Sequence, residues 1–157
     1  MNPFLRLYTD FIGGRPGVGL LLFRIVIGLA LMQHGWMKVQ HPMSWMGPTG
    51  APPFMQLLAT IAEFGGGLAI LLGLLTPVAC IGVFCLMIGA LLMVHLPAHQ
   101  AWVGKGPTME LPISYLITSI LLFCTGPGIY SIDSRLFGTR LTSRSADTPI
   151  ERKKVAA

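Results

Sequence analysis

The middle of the chain decides the fold. Residues 54–96 read FMQLLATIAEFGGGLAILLGLLTPVACIGVFCLMIGALLMVHL, and Glu63 is the single acidic residue in this stretch, which has no lysine or arginine. A helix that spans a bilayer needs about 20 mainly apolar residues. Because Thr76-Pro77 divides the stretch, it predicts two membrane-spanning helices, over residues 54–75 and 78–96, joined by a tight turn.

The composition of all 157 residues supports a membrane protein. Hydrophobic residues make up 53% and charged residues 11%, with a mean hydropathy of +0.68. Soluble domains carry about 25% charged residues, so the composition argues against a disordered chain or a soluble disulfide scaffold. The net charge of +5 does not indicate nucleic-acid binding, because most basic residues follow the last apolar segment. These are Arg135, Arg140, Arg144, Arg152, Lys153 and Lys154.

Two further apolar runs complete a bundle. Residues 18–39 and the shorter run 111–125 predict the first and fourth helices, so the fold class is an all-α integral membrane four-helix bundle within residues 17–137. Arg6 and Arg15 precede the first helix and the basic tail follows the fourth, whereas the two long loops hold few basic residues. The positive-inside rule therefore predicts that both termini are cytoplasmic and that loops 40–53 and 97–110 face outward.

The two ends of the chain lie outside this domain. Residues 1–16 place apolar side chains at helical spacing, from Phe4 to Ile12, and predict a short amphipathic helix on the inner membrane surface. An apolar lead-in to the first helix is an equal alternative. Residues 138–157 form a basic tail, which we expect to be disordered, cytoplasmic and drawn to anionic lipid.

Two ionisable residues lie within the predicted spans. Glu63 is near the middle of the second helix, and a carboxylate at that depth must be protonated, paired or open to water. Arg24 lies in the first helix, about 7 Å from Glu63 in depth at 1.5 Å per residue. The sequence therefore allows two interpretations. Either Arg24 and Glu63 form a buried ion pair, or the Arg24 side chain snorkels to the inner headgroups.

A second set of polar residues gathers toward the outer side. His34 and Lys38 are four residues apart on one helical face, and histidine and carboxylate side chains are suited to proton exchange near neutral pH. Three tryptophans in the same part of the sequence, Trp36, Trp45 and Trp102, are typical of an interfacial belt. The predicted outer cluster comprises His34, Lys38, Glu63, His95 and Glu110, with His99 near it.

Glycines recur every seven residues in three of the predicted helices. A seven-residue repeat keeps one face toward a partner helix, and small residues allow close approach in lipid. The spacing predicts packing seams, although glycine is common in membrane helices in any case. The pairs are Gly28 and Gly35, Gly66 and Gly73, and Gly82 and Gly89.

An ordered set of motifs runs through the four helices. It comprises Arg24, His34-Gly35, Lys38, Ala62-Glu63, Gly65-Gly66, Gly73-Leu74, Thr76, His95-Leu96-Pro97, Glu110, Gly126-Pro127-Gly128, Tyr130-Ser131 and Asp133. This set resembles the DoxX family of small bacterial membrane proteins over residues 17–137. The resemblance implies a multi-pass four-helix protein of the bacterial cytoplasmic membrane. It also implies kinship with the DoxD subunit of thiosulfate:quinone oxidoreductase and with systems that respond to thiol or oxidative stress.

The leading functional hypothesis is a membrane subunit or accessory of a quinone-linked or thiol/oxidative-stress oxidoreductase. If the chain takes part in an enzyme, it is a subunit rather than the complete enzyme, because no redox motif is present and electrons must come from a partner protein. In this hypothesis Glu63 and His34 contact the quinone or relay its proton. The expected binding residues are Arg24, Lys38, His95 and Glu110.

Two other hypotheses remain open. Haem between His34 and His95 is the less favoured one, because a single histidine on a helix is more often structural than a ligand. A non-enzymatic scaffold or small-solute pathway fits the interior charges and the glycine seams as well as the oxidoreductase hypothesis does. The sequence predicts no metal site and no nucleic-acid partner. It leaves a homo-oligomer open.

Overall fold

The structure, a computed structural model, describes residues 8, 11–47 and 50–138. Over these ranges the regular structure is helical, without strands. Four long helices are present: α1 (Gly14–Gln40), α2 (Pro53–Leu72), α3 (Thr76–His95) and α4 (Glu110–Thr125). The first three are long and apolar enough to cross a membrane, and α4 is a shorter apolar helix. The predicted all-helical membrane bundle is thus confirmed.

Both predicted end segments fall largely outside the described residues. Of residues 1–16, the structure describes Tyr8 and the run from residue 11 onward, so the amphipathic helix stays a prediction. Residues 132–138 are helical, so Gly138, the first residue of the predicted disordered tail, is helical, and residues 139–157 lie outside the described part.

The turn between α2 and α3 is set by its glycine. Gly73 has φ +63°, a left-handed conformation that ends α2, and its N–H donates to the Ile70 carbonyl at 3.1 Å. Leu75 is also left-handed, at φ 49°, which strains a residue with a side chain. Pro77 then lies in the first turn of α3, where its missing N–H leaves no bond unmade.

Two helices contain one wider, π-helical turn. In α2 this turn covers Ile61–Gly65 and includes Glu63, and in α3 it covers Leu91–His95 and includes His95. A π-helical turn adds a residue to one turn of the helix and occurs frequently at functional sites. Each of these turns therefore redirects an ionisable side chain relative to a regular helix.

Glycines set the contact between α1 and α2. A Cβ atom added at Gly28 would lie 2.7 Å from the Gly67 carbonyl oxygen, and one at Gly35 would lie 2.8 Å from the Phe64 nitrogen. Two backbones can approach this closely only without side chains between them. The predicted seam on α1 is therefore a real packing surface.

The other predicted seams are only partly used. Gly66 packs toward α3, where an added Cβ would lie 3.1 Å from Val83. Gly73 belongs to the turn rather than to a seam, and no described atom lies within 4 Å of a Cβ added at Gly89. The seven-residue spacing predicted a close helix contact at Gly89 of α3, and the described residues make none there.

A small apolar core holds the four helices together. Leu31, Ile70, Val83 and Leu122 come from different helices and are each at most 1% exposed. Most other large apolar side chains point outward, as expected when lipid surrounds the bundle. We call the end where α1 and α3 begin the tail end. The loop end is the opposite one, next to residues 41–47, 50–52 and 96–109.

Candidate functional site

The loop end of the bundle holds a shielded ion pair between α1 and α2. The Lys38 Nζ atom lies 2.5 Å from Oε2 of Glu63, and only 9% of the Glu63 side chain is exposed. This buried oxygen has no donor besides the Lys38 ammonium in the described part of the chain. A charged pair removed from water in this way is neutral overall, yet each member depends on the other.

Trp45 and its loop cover the pair. The Lys38 ammonium lies 4.4 Å from the centre of the Trp45 ring, a cation–π contact. The Trp45 indole N–H donates to the Gln56 carbonyl at 3.2 Å, so the ring is fixed in place. Trp45 was expected in an interfacial belt, and the structure gives it a direct contact with the site as well.

Gln56 fastens the loop above the pair. It is 2% exposed, and its side-chain oxygen accepts the Met46 N–H at 2.9 Å while its amide donates to the Ala51 carbonyl at 2.6 Å. Thr60, one turn further along α2, donates to the Gln56 carbonyl at 2.9 Å. These bonds fix residues 41–47 and 50–52 as a roof over the pair. The sequence signal for it was weak: a glutamine at the start of an apolar helix.

A histidine and a tyrosine line the side of the site. The ring of His34, an exposed residue on α1, meets the edge of the Tyr115 ring on α4, with 6.1 Å between centroids. Tyr115 is 6% exposed, and its phenol interacts electrostatically with the Glu63 carboxylate. Sequence analysis missed Tyr115, because nothing in one apolar helix shows which aromatic residue lies near a carboxylate on another helix.

The remaining predicted members of the outer cluster lie apart from the pair. His95 forms a 2.6 Å hydrogen bond between its Nδ1 and Gln100, and Glu110 is exposed in the first turn of α4. His99 is exposed with φ +50°. Within the described residues, no ion pair or hydrogen bond joins any of the three to Glu63.

Arg24 is placed at the tail end, away from Glu63. Its guanidinium donates to the Pro127 carbonyl and, at 2.9 Å, to the Tyr130 carbonyl. The hypothesis of an Arg24–Glu63 pair is therefore wrong, and the partner of Glu63 is Lys38. Snorkelling is wrong as well, since Arg24 is 1% exposed. The difference in depth between Arg24 and Glu63 does not show toward which end of the bundle the Arg24 side chain turns.

Asp133 is the central residue of this tail-end cluster. Its carboxylate accepts the backbone N–H groups of Leu75, at 2.7 Å, and Thr76, at 2.8 Å, and so caps α3. It is fully buried and compensates the charge of Arg24. Burial, together with the Asp133 carboxylate that it contacts, raises the pKa of Tyr8 above its usual value. This cluster joins both ends of the domain.

The described residues offer no ready metal centre. Across residues 11–47 and 50–138, with Tyr8, no three His, Cys, Asp or Glu side chains come together as metal ligands do. The three cysteines are free thiols, Cys80 buried and the other two exposed.

Comparison with known proteins assigns the family. The sequence model of the DoxX family matches residues 19–96. Inner membrane protein YqjF of Escherichia coli strain K12 is 34% identical over 76% of this chain and 92% of that protein. A Bacillus subtilis protein named "Putative oxidoreductase CatD" is 30% identical over 76% of this chain and 88% of its own length. No solved structure gives a significant match. On this similarity, which extends over most of the bundle, the chain belongs to the DoxX family of membrane proteins.

Proposed function

We propose that the chain is a membrane component of a quinone-linked oxidoreductase system and that the Lys38–Glu63 pair binds the quinone ring. The observation that carries this proposal is the pair itself, an ammonium and a carboxylate 2.5 Å apart beneath Trp45. The relative CatD is named a putative oxidoreductase, which supports the oxidoreductase part of the proposal.

The donors at the site fit a quinone carbonyl. An ammonium has three N–H groups. Glu63 takes one, the Trp45 ring covers the ammonium on another side, and a third N–H is available to a carbonyl oxygen. The phenol of Tyr115, whose environment includes the charge of Glu63, offers a second donor. The neutral total charge of the pair suits an uncharged ligand.

The residues of this chain handle protons rather than electrons. Reduction of a quinone to a quinol takes up two electrons and two protons. A partner oxidoreductase supplies the electrons, since the sequence contains no redox motif. Glu63, a carboxylate in its pair with Lys38, takes each of the two protons from the exposed His34 and passes it to a ring oxygen. His34 takes up each proton in turn from the outer side. His95 and Glu110, which lie apart from the pair, have no assigned role in this step.

Purification of the tagged protein in mild detergent tests the proposal. We expect a stoichiometric oxidoreductase partner by mass spectrometry and enriched quinone in an organic extract of the same sample. Glu63→Gln should lose the quinone while the amount of protein in the membrane stays normal. Glu151→Gln, in the basic tail, is the matched control and should keep it. A preparation with neither partner nor quinone would reject the proposal.

A structural role is the second candidate. Arg24 and Asp133 are buried in bonds that join α1, α3 and the segment after α4, and this supports a scaffold without chemistry. Under this alternative the Lys38–Glu63 pair also holds helices together. Glu63→Gln then destabilises the bundle, and the protein is lost from the membrane. The amount of protein in the membrane therefore separates the two candidates.

We further propose that the chain lies in the bacterial inner membrane with both termini in the cytoplasm. YqjF is named as an inner membrane protein, and the basic tail supports the orientation. A membrane-impermeant maleimide tests the orientation. It should label Lys105→Cys in intact cells and Ser143→Cys only after the membrane is opened. The reverse pattern would overturn the orientation.

A further inference from the structure

The Lys38–Glu63 pair is shielded on the side of the loop end. Trp45 lies over the Lys38 ammonium, and the roof of residues 41–47 and 50–52 is hydrogen-bonded to Gln56. On the side of α2 the backbones of α1 and α2 are in contact at Gly35 and Phe64, which leaves no space for a ligand. A molecule that contacts the pair therefore extends in another direction.

The seam between α1 and α4 is weakly packed. The α1–α2, α2–α3 and α3–α4 pairs pack closely, whereas α1 and α4 approach each other less closely among the described helices. Toward the loop end they are bridged by the His34–Tyr115 ring contact. Toward the tail end the seam is closed by the hydrogen bonds of Arg24 to the Pro127 and Tyr130 carbonyls.

Apolar side chains of α1 and α4 lie between these two contacts. Phe23, Ile27, Ala30 and His34 recur every three or four residues and so share one face of α1. The first three are partly buried and pack against the core, as does Leu116 of α4. These side chains form an apolar strip about two to three helical turns long, which runs along α1 from Phe23 to the ring of His34.

We propose that this seam seats the apolar tail of a lipid-soluble ligand whose ring lies against the Lys38–Glu63 pair. The inference rests on the proposed function and adds to it the class of ligand: a quinone with a hydrophobic tail rather than a small water-soluble one. His34 and Tyr115 lie at the junction between ring and tail. The strip is apolar and the pair is polar, as the two parts of such a molecule require.

Two quinones that differ in the tail separate the two parts of the site. Decylubiquinone carries a ten-carbon tail, and ubiquinone-0 carries none. Their dissociation constants are measured in lipid nanodiscs by quenching of Trp45 fluorescence, in the full chain with Trp36→Phe and Trp102→Phe so that Trp45 is the one remaining tryptophan. Ala30→Phe fills the strip, and Leu29→Phe, at a position that is 52% exposed on another side of α1, is the matched control.

We expect Ala30→Phe to weaken decylubiquinone binding by about tenfold or more and to leave ubiquinone-0 within about twofold of the parent. Leu29→Phe should change neither. If Ala30→Phe does not fold, judged by gel filtration, Ala30→Leu gives the same test with less added bulk. Equal effects on the two quinones, or no effect on decylubiquinone, would overturn the seam as the seat of the tail. A parent protein that binds neither quinone rejects the proposed function, and the inference with it.

Discussion

The carboxylate of Asp133 caps a helix that begins 57 residues earlier in the chain, where its Oδ2 atom accepts the Thr76 N–H at 2.8 Å. Its Oδ1 atom accepts the neighbouring Leu75 N–H at 2.7 Å, and the Asp133 N–H donates to the Gly73 carbonyl at 2.9 Å. These bonds fix the strained turn between α2 and α3 to the segment that follows α4. The short turn is thus held in place by a distant residue.

Removal of the Asp133 carboxylate should destabilise the bundle. Asp133→Ala leaves two buried N–H groups without acceptors and Arg24 without its compensating charge, which we expect to lower the free energy of unfolding by about 3–5 kcal/mol. Unfolding in mixed micelles, followed by circular dichroism, measures the loss. Arg135→Ala, at an exposed neighbouring position, is the control. Equal stability of the two variants would contradict the capping role.

This cluster shows what one sequence could not predict. Arg24 was recognised as an interior charge, and the motif around Asp133 was noted, yet nothing local connects the two. An aspartate that caps its own helix leaves a signal within four residues. An aspartate that caps a helix 57 residues away leaves none, because the contact exists only after the bundle has closed.

Tyr8 should make the stability of the protein fall in alkaline solution. Burial and the adjacent Asp133 carboxylate raise its pKa above the usual value of about 10. A group with a raised pKa in the fold contributes stability that is complete below its unfolded pKa, so this contribution is lost as the pH rises above about 10. The folded protein keeps Tyr8 protonated there, whereas the unfolded chain does not.

Thermal unfolding at pH 8 to 11 measures this effect. The melting temperature of the parent should fall more steeply above pH 10 than that of Tyr8→Phe, which has no phenol to ionise. Tyr130→Phe is the matched control, since the Tyr130 side chain is 48% exposed, and it should follow the parent. If Tyr8→Phe and the parent show the same pH dependence, Tyr8 does not occupy the buried position described here.

The glycine contact between α1 and α2 predicts contrasting effects of alanine. At Gly28 an added methyl group would lie 2.7 Å from the Gly67 carbonyl oxygen, so the helices must separate, and we expect Gly28→Ala to lower stability by about 1–3 kcal/mol. Gly89→Ala meets no described atom within 4 Å and should be neutral or stabilising by up to about 1 kcal/mol. Unfolding in mixed micelles compares the two, and equal losses would contradict the structure.

Glu63 illustrates the opposite limit of sequence analysis. A single carboxylate in an apolar run is easily recognised in the sequence. The predicted outer cluster also included Lys38, which the structure shows to be the partner of Glu63. The choice between Arg24 and Lys38 depended on helix ends that a sequence fixes only within a few residues. The π-helical turn at Ile61–Gly65 shifts the direction of Glu63 further, and no propensity rule predicts such a turn.

A double-mutant cycle on Lys38 and Glu63 should show strong coupling. Each single change, Lys38→Met or Glu63→Gln, leaves the other group without its partner, and Lys38→Met strands a buried carboxylate, for which we expect a loss of about 3–5 kcal/mol. The double variant removes both charges and should lose less than the sum of the single changes by at least about 1 kcal/mol. Lys105→Met, in an exposed loop, should change stability by less than about 0.5 kcal/mol. Additive losses in the cycle would mean that the 2.5 Å contact contributes no coupling, and the site would then have to be explained without an ion pair.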